Sequence, residues 1–381
     1  MKFATKVIHG GLKPDPQTGA VMTPIYQTST FAQESPGVHK GYAYARSKNP
    51  TREALENSLA ALENGNHAIS FGSGLAAQDA VMKTLSPGDE VISTSDLYGG
   101  TYRQMMKVYA KYGIKFHFIN MDDPQNIQSH INGHTKLIWL ETPTNPMLSI
   151  VDIEAITKIA RANGLLSLVD NTFSSPYLQN PLNLGADIVL HSATKYLGGH
   201  SDVVNGAIIV NDQELHKQIR FIQNSCGAIP GPQDCFLVLR GIKTLHLRVQ
   251  RACDSARLIA SHLAGHDKVS RVFYPGFTDH KGHEVAKRQM RDFGGMLSFD
   301  LKANTQKAAF KVLSNTNYFT LAESLGGVES LIGHPASMTH ASIPKEERIK
   351  VGLTDSLIRL SVGVEDPDDL INDLDQALSK I

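Results

Sequence analysis

The sequence predicts an α/β protein: a mostly parallel seven-stranded sheet, followed by a smaller C-terminal α+β domain. Two patterns carry that expectation. From Thr51 onward, short apolar runs alternate with segments of helical periodicity. The runs are near-continuously apolar, as strands covered by helices on both faces must be. Past about residue 230 the rhythm changes to a long helical stretch and then to short, separated strands.

Residues 1–50 open the chain with little regular pattern, punctuated by Gly10, Gly11, Pro14, Pro16, Gly19 and Pro24. So long an irregular segment in a compact protein is expected to be an arm packed on something, or a functional loop. Helical periodicity then covers 53–63, 75–85, 101–112, 152–163 and 213–224. Strand-like runs fall at 67–71, 90–94, 115–119, 136–141, 165–170, 188–191 and 206–210. A single helix is expected over 232–263, continuing past Gly241. Strands at 269–274, 295–301 and 357–362, a helix near 306–314 and an amphipathic helix over 366–380 complete the chain. The expected division is an arm over 1–50, a large domain over 51–245 and a small one over 246–381.

At 381 residues the chain can bury two substantial cores. Its 37 basic and 37 acidic residues cancel without any run of like charge. No electrostatic footprint for nucleic acid or an anionic membrane results. No apolar stretch approaches a membrane span, and residues 1–6 lack the apolar core of a signal peptide. Cys226, Cys235 and Cys253 have no metal-type spacing and read as reduced thiols of a cytoplasmic protein. His191 with His200, or His280 with His283, come without supporting carboxylates or cysteines, so no metal site is expected.

The chemistry sits in three segments, each at the end of a predicted strand, where ligands bind on such sheets. The apolar run 186–190 leads into His191-Ser192-Ala193-Thr194-Lys195-Tyr196. A lysine after a strand is ordinarily a surface residue, but one desolvated or held near cations can lose its proton and attack a carbonyl. The hydroxyls of Ser192 and Thr194 beside it suit a phosphate. A second strand ends in Asp170, which is either a cap or a carboxylate paired with a protonated pyridine nitrogen. The third segment, Ile69-Ser70-Phe71-Gly72-Ser73-Gly74-Leu75-Ala76-Ala77, passes through small residues into an Ala-rich helix. Small residues let a phosphate approach the free N–H groups at a helix N-terminus. The segment has neither the G-x-G-x-x-G spacing of a dinucleotide fold nor a G-K-[ST] ending, which counts against NAD and ATP. Phosphate cup, pyridine carboxylate and lysine together predict a pyridoxal 5'-phosphate (PLP) site.

With these residues in view, the chain resembles the Cys/Met-metabolism family of PLP enzymes over almost its full length. The likeness includes Tyr42-Ala43-Tyr44-Ala45-Arg46, Asp96-Leu97-Tyr98-Gly99-Gly100-Thr101 and Glu141-Thr142-Pro143-Thr144-Asn145-Pro146. It continues through Val169-Asp170-Asn171-Thr172-Phe173, Leu321-Ala322-Glu323-Ser324-Leu325-Gly326-Gly327, Met338-Thr339-His340-Ala341 and Ile358-Arg359-Leu360-Ser361-Val362-Gly363. The resemblance implies PLP fold type I, the aspartate-aminotransferase-like architecture. It implies that Lys195 forms the Schiff base and shuttles protons, that Asp170 holds the pyridinium, and that Tyr98 stacks on the ring. Gly74 and Leu75 would offer N–H groups to the phosphate, helped by Ser192 and Thr194. Tyr44 and Arg46 would reach the phosphate of a neighbouring subunit. The resemblance thus implies a homo-oligomer with shared active sites, a tetramer built as a dimer of dimers. Arg359 is the expected partner of a substrate α-carboxylate, because a planar, permanently charged fork suits it; otherwise it pairs with an Asp or Glu. Asn145 and Ser324 are expected near the cofactor ring and the carboxylate respectively. His340 lies in a family motif without an assigned role.

Within the family the likeness is to cystathionine γ-lyases and γ-synthases. Gly100 stands where methionine γ-lyases usually carry cysteine, and Glu323 where β-lyases tend to carry an aromatic residue. A carboxylate at 323 could hold the distal amino group of cystathionine. The implied activity is γ-cleavage of L-cystathionine; the alternatives, in order, are γ-synthesis from an O-acylhomoserine and cysteine, and β-cleavage. The competing classes are a non-catalytic PLP-binding protein and an aminotransferase. Lys195, Asp170 and Tyr98 speak against the first; Glu323-Ser324 and the Tyr44/Arg46 pair speak against the second.

Overall fold

The structure is a computed structural model that describes residues 1–341 and 343–381. Its larger sheet comprises β1 (His67–Phe71), β2 (Glu90–Thr94), β3 (Lys115–Ile119), β4 (Thr135–Glu141), β5 (Leu166–Asp170), β6 (Ile188–Ser192) and β7 (Gly206–Val210). The order across the sheet is β1-β7-β6-β5-β4-β2-β3. β7 is antiparallel to both β1 and β6, and the remaining neighbours run parallel. The carboxyl ends of β1, β4, β5 and β6 therefore open on one rim.

Both faces of the sheet are dry except at the edge strand β3, where Lys115 is exposed and Phe116, His117 and Phe118 are half-buried. Along the strands, Phe71, Val91, Trp139, Leu168 and Leu190 fall in one core, while Ile92, Ile138, Leu140 and Val169 fall in the opposite one. That is the period-2 side-chain alternation of a strand expressed on two buried faces. Helices Gly74–Met82 and Gln213–Cys226 contribute to the first core and Ile153–Ala162 to the second.

Helix Pro50–Glu63 starts three residues before the periodicity suggested. The Asn49 side chain accepts from the N–H groups of Thr51 and Arg52, and Pro50 occupies the first helical position, where a missing N–H costs nothing. Arg52, buried on that helix, donates to the carbonyls of Ala45, Arg46 and Ser47 and so ties down the end of the arm. The arm itself carries one short helix, Phe3–His9, that the sequence pattern did not disclose.

The single helix expected over 232–263 is in fact two, Pro232–Ile242 and Leu245–Ala264. The cause is long-range. Arg248 donates to the Gly241 carbonyl at 2.7 Å and to the Tyr196 carbonyl at 2.9 Å, so the break lets one guanidinium serve both segments. Gly241 packs directly on the Leu197 and Gly198 carbonyls, leaving no room for a Cβ. Two helices thus clamp the turn that follows Lys195.

The smaller sheet comprises β8 (Val269–Phe273), β9 (Met296–Leu301), β10 (Thr320–Leu321), β11 (Leu331–Gly333) and β12 (Ile358–Ser361), in the order β10-β11-β12-β9-β8. Its pairs are antiparallel except β10 with β11. Strands β10 and β11 are two and three residues long, too short for a legible period. Helix Pro367–Leu378 closes the chain, capped by Asp366. Among the described residues no helix is long and apolar enough to cross a membrane.

Candidate active site

One cavity of about 360 Å³ opens at the shared rim of the large sheet and is walled on the far side by the small domain. It gathers Gly74, Leu75, Tyr98, Asn145, Asp170, Ser192, Thr194, Lys195, Glu323, Ser324 and Arg359. Two of the residues singled out in the sequence lie elsewhere. Tyr44 is exposed, and Arg46, stacked over its ring, donates to the Asn224 carbonyl at 2.7 Å.

The phosphate-sized corner is built by close packing. Ser73 caps helix Gly74–Met82 by accepting from the Ala76 N–H at 3.0 Å. The first N–H groups of that helix, on Gly74 and Leu75, meet no acceptor among the described residues. A Cβ on Gly74 would lie 2.9 Å from the Ser192 Cβ, so only glycine lets the helix end approach β6 this closely. Thr194 bonds through its hydroxyl with the main chain of Asn205, as both acceptor and donor.

Asp170 is 7 % exposed and accepts from the Thr172 N–H at 3.0 Å. Burial pushes its carboxyl up; Thr172 and the nearby His191 oppose the shift. His191 is not free of carboxylates, contrary to what its sequence neighbours suggest: its Nε2 lies 2.6 Å from Glu63 Oε1 in a buried contact. Lys195 donates to Ser324 Oγ at 2.7 Å. Burial, then the charge of Arg359, lowers its amine to about 8. Such an amine is partly neutral near physiological pH, which a carbonyl-directed nucleophile requires.

Arg359 lies within β12 and is 5 % exposed. Its Nη1 donates to Asn145 Oδ1 at 2.8 Å and its Nη2 to the Ser324 carbonyl at 3.0 Å. Burial lowers the guanidinium to about 10, with Glu323 opposing. Both hydrogen-bond partners are neutral, and the positive charge faces the cavity, where an anionic ligand group can meet it. Tyr98 precedes helix Gly99–Lys107, and its ring lies against Gly100, where any Cβ would collide with it.

Glu141 is the site residue that the sequence reading passed over. It ends β4 in register with Asp170 and is 4 % exposed. Burial first, then the charge of Asp170, raise its carboxyl well above the usual range. Its Oε2 accepts from the Tyr98 N–H at 2.9 Å, fixing that turn. The available signal was the one used for Asp170, a carboxylate at the end of an apolar run.

These residues fit PLP. The corner at Gly74 offers unpaired N–H groups at a helix N-terminus, flanked by hydroxyls, which is what a phosphate takes. Asp170 is a buried carboxylate that wants a cationic partner, and Lys195 is a depressed amine in the same cavity.

Comparison with known proteins agrees. The family model described as Cys/Met metabolism PLP-dependent enzyme matches residues 4–379. A cystathionine γ-lyase of Bacillus subtilis is 52 % identical over 381 residues, all of both chains. A cystathionine β-lyase of Coxiella burnetii is 52 % identical over 376 residues, 98 % of this chain and 97 % of its own. The crystal structure of a cystathionine γ-synthase from Xanthomonas oryzae, 42 % identical, superposes with a TM-score of 0.97 over 100 % of this chain and 98 % of that one. The PLP-shaped rim, the sheet order and these likenesses converge: the chain belongs to the Cys/Met metabolism PLP-dependent enzyme family, with pyridoxal phosphate as cofactor and an amino acid as substrate.

Proposed function

We propose that the protein cleaves L-cystathionine on its γ side, with water, to L-cysteine, 2-oxobutyrate and ammonia. The observation that carries this reading is Glu323. It is exposed, yet lines the cavity that also holds Lys195 and Arg359. Cystathionine is an amino acid at both ends. A buried arginine for the near α-carboxylate and a carboxylate at the mouth for the distal ammonium match that double character.

Bound PLP supplies the electron sink that makes the substrate Cα–H acidic. The chain's own residues then divide the work. Asp170 stays anionic to hold the pyridinium, while the hydroxyl of Ser192 and the N–H groups of Gly74 and Leu75 hold the phosphate, joined by Thr194 once its hydroxyl turns from the Asn205 carbonyl. Arg359, aimed by Asn145 and the Ser324 carbonyl, orients the substrate. The Lys195 amine takes the Cα proton, and a second proton must leave Cβ before the Cγ–S bond can break. One mobile amine serving both carbons suits a side chain whose hydroxyl partner, Ser324, stands on the opposite wall. The Tyr98 phenol protonates the departing sulfur.

Tyr44 and Arg46 act in a neighbouring subunit's site, in a tetramer built as a dimer of dimers. The arm supports this: Val21, Ile25, Val38 and Tyr44 are large apolar side chains left exposed on it. A cytoplasmic location fits three cysteines that are all free thiols. The division into an arm over 1–50 and domains over 51–245 and 246–381 belongs to the same proposal.

The test is mass spectrometry of the products formed from L-cystathionine by the PLP-loaded protein. Cysteine with 2-oxobutyrate is the expected result. Homocysteine with pyruvate would replace the reading by β-cleavage, the activity named for the Coxiella relative. Intact cystathionine, with product formed from an O-acylhomoserine and cysteine, would make the protein a γ-synthase. No turnover of either mixture would overturn the cystathionine reading.

A further inference from the structure

His340 is buried, at 2 % exposed, and lies outside the cavity lining. It nevertheless touches main chain of the site: its Nε2 lies 2.9 Å from the Asn145 carbonyl. Its Nδ1 lies 2.8 Å from the Thr339 hydroxyl. Burial, then the Arg359 charge, lowers the imidazole to about 4, so the ring is neutral at physiological pH. A neutral ring has one N–H. We assign it to Nε2, donating to the Asn145 carbonyl, with Nδ1 accepting from the Thr339 hydroxyl.

Asn145 connects this ring to the cavity, because its side-chain oxygen accepts from Arg359 Nη1. The segment carrying His340 packs closely on the turn that follows Tyr98. Gly99 packs on the Thr339 carbonyl so closely that a Cβ would collide with it. From the far side, Ser298 of β9 donates to the Pro146 carbonyl at 2.8 Å. The Asn145-Pro146 main chain is thus gripped from two directions, by the imidazole at Asn145 and by Ser298 at Pro146.

We propose that His340 is a positioning residue for substrate binding: it fixes the Asn145 main chain and, through the Asn145 amide, the direction of the Arg359 guanidinium. The proposal rests on the reading that Arg359 takes the α-carboxylate.

The experiment uses the full-length, PLP-loaded protein with His340→Leu, which keeps volume but removes the donor, and His340→Gln, which restores one. Two quantities are read: KM and kcat for L-cystathionine, and the glycine concentration that half-saturates the change in cofactor absorbance. Glycine presents an α-carboxylate and no distal group. The leucine variant is expected to raise KM and the glycine half-saturation together, by about tenfold, with kcat within about threefold. The glutamine variant should recover most of that loss, with cofactor content unchanged in both. In an Asn145→Ala background the leucine substitution should add less than about twofold, because its route to Arg359 is already cut. A fall in kcat alone, or a full effect in the Asn145→Ala background, overturns the proposal. If the leucine variant does not fold, the glutamine variant decides: a loss above about threefold overturns it. Arg359→Lys separates the two readings. Unchanged glycine affinity there removes the carboxylate reading itself, whereas weakening there without weakening in His340→Leu removes only the role of His340.

Discussion

Glu141, Asp170 and Ser192 reach the cavity because they end neighbouring strands of one sheet, so their spacing follows from the register of β4, β5 and β6. Arg359, Ser324 and Glu323 reach the same cavity from a second sheet and its connecting loops, more than a hundred residues later in the chain. The first wall is set by backbone pairing and by glycines at close approaches. The second is set by side-chain hydrogen bonds between segments with no pairing to each other: Arg359 to Asn145 and Ser324, His340 to Asn145. The first wall is built on strand ends. The second is built on buried side chains held in place by hydrogen bonds across segments. Lys195 joins them, since it stands on the first and donates to Ser324 on the second.

Three perturbations separate the two walls, and the largest effect is expected at the seam. Lys195→Ala should abolish the absorbance of the lysine-bound cofactor and lower turnover by more than about 1,000-fold. Turnover near the native rate without the lysine would end the assignment of the first wall. Arg359→Lys should raise KM for L-cystathionine by roughly 10- to 100-fold, about 1.5–3 kcal/mol, because a point charge cannot reproduce the fork held by Asn145 and Ser324. Cofactor content should stay native, and loss of PLP from this variant would show that the two walls are not separable.

The third effect is a matter of pH. A lysine lowered to about 8 loses its proton as pH rises through that value, earlier than an exposed lysine at 10.5. In cofactor-free protein, acylation of Lys195 by a small amine-directed reagent should climb about tenfold per pH unit below 8 and level off above it. Peptide mapping by mass spectrometry reads this out against surface lysines. A rate still climbing beyond pH 9 would mean that neither burial nor Arg359 acts on the amine.

The two walls were also unequally legible. The seven strand-like runs of the large sheet coincide with its strands to within a residue at either end, because strands covered on both faces, the edge strand β3 excepted, leave near-continuous apolar runs. The glycine-serine corner, Asp170 and Lys195 stood out as polar or small residues at the ends of those runs. Glu141 obeyed the same rule and was passed over, although its register with Asp170 makes it part of the rim. In the small domain, β10 and β11 were too short to leave a period, and Arg359 and Glu323 drew their significance from family likeness rather than from any local pattern.

Sequence by itself determined the layered fold, the rim on which the polar residues gather and which small and polar residues end the strands there, because strand period and strand ends are local properties of the chain. Tertiary structure alone decided where the helix expected over 232–263 breaks, since the partners of Arg248 are the carbonyls of Gly241 and the distant Tyr196. It alone decided that Asn145 aims Arg359 and that a buried histidine holds Asn145. Those outcomes are contacts between segments up to about two hundred residues apart, and no local pattern records what a side chain meets once the two sheets have closed on each other.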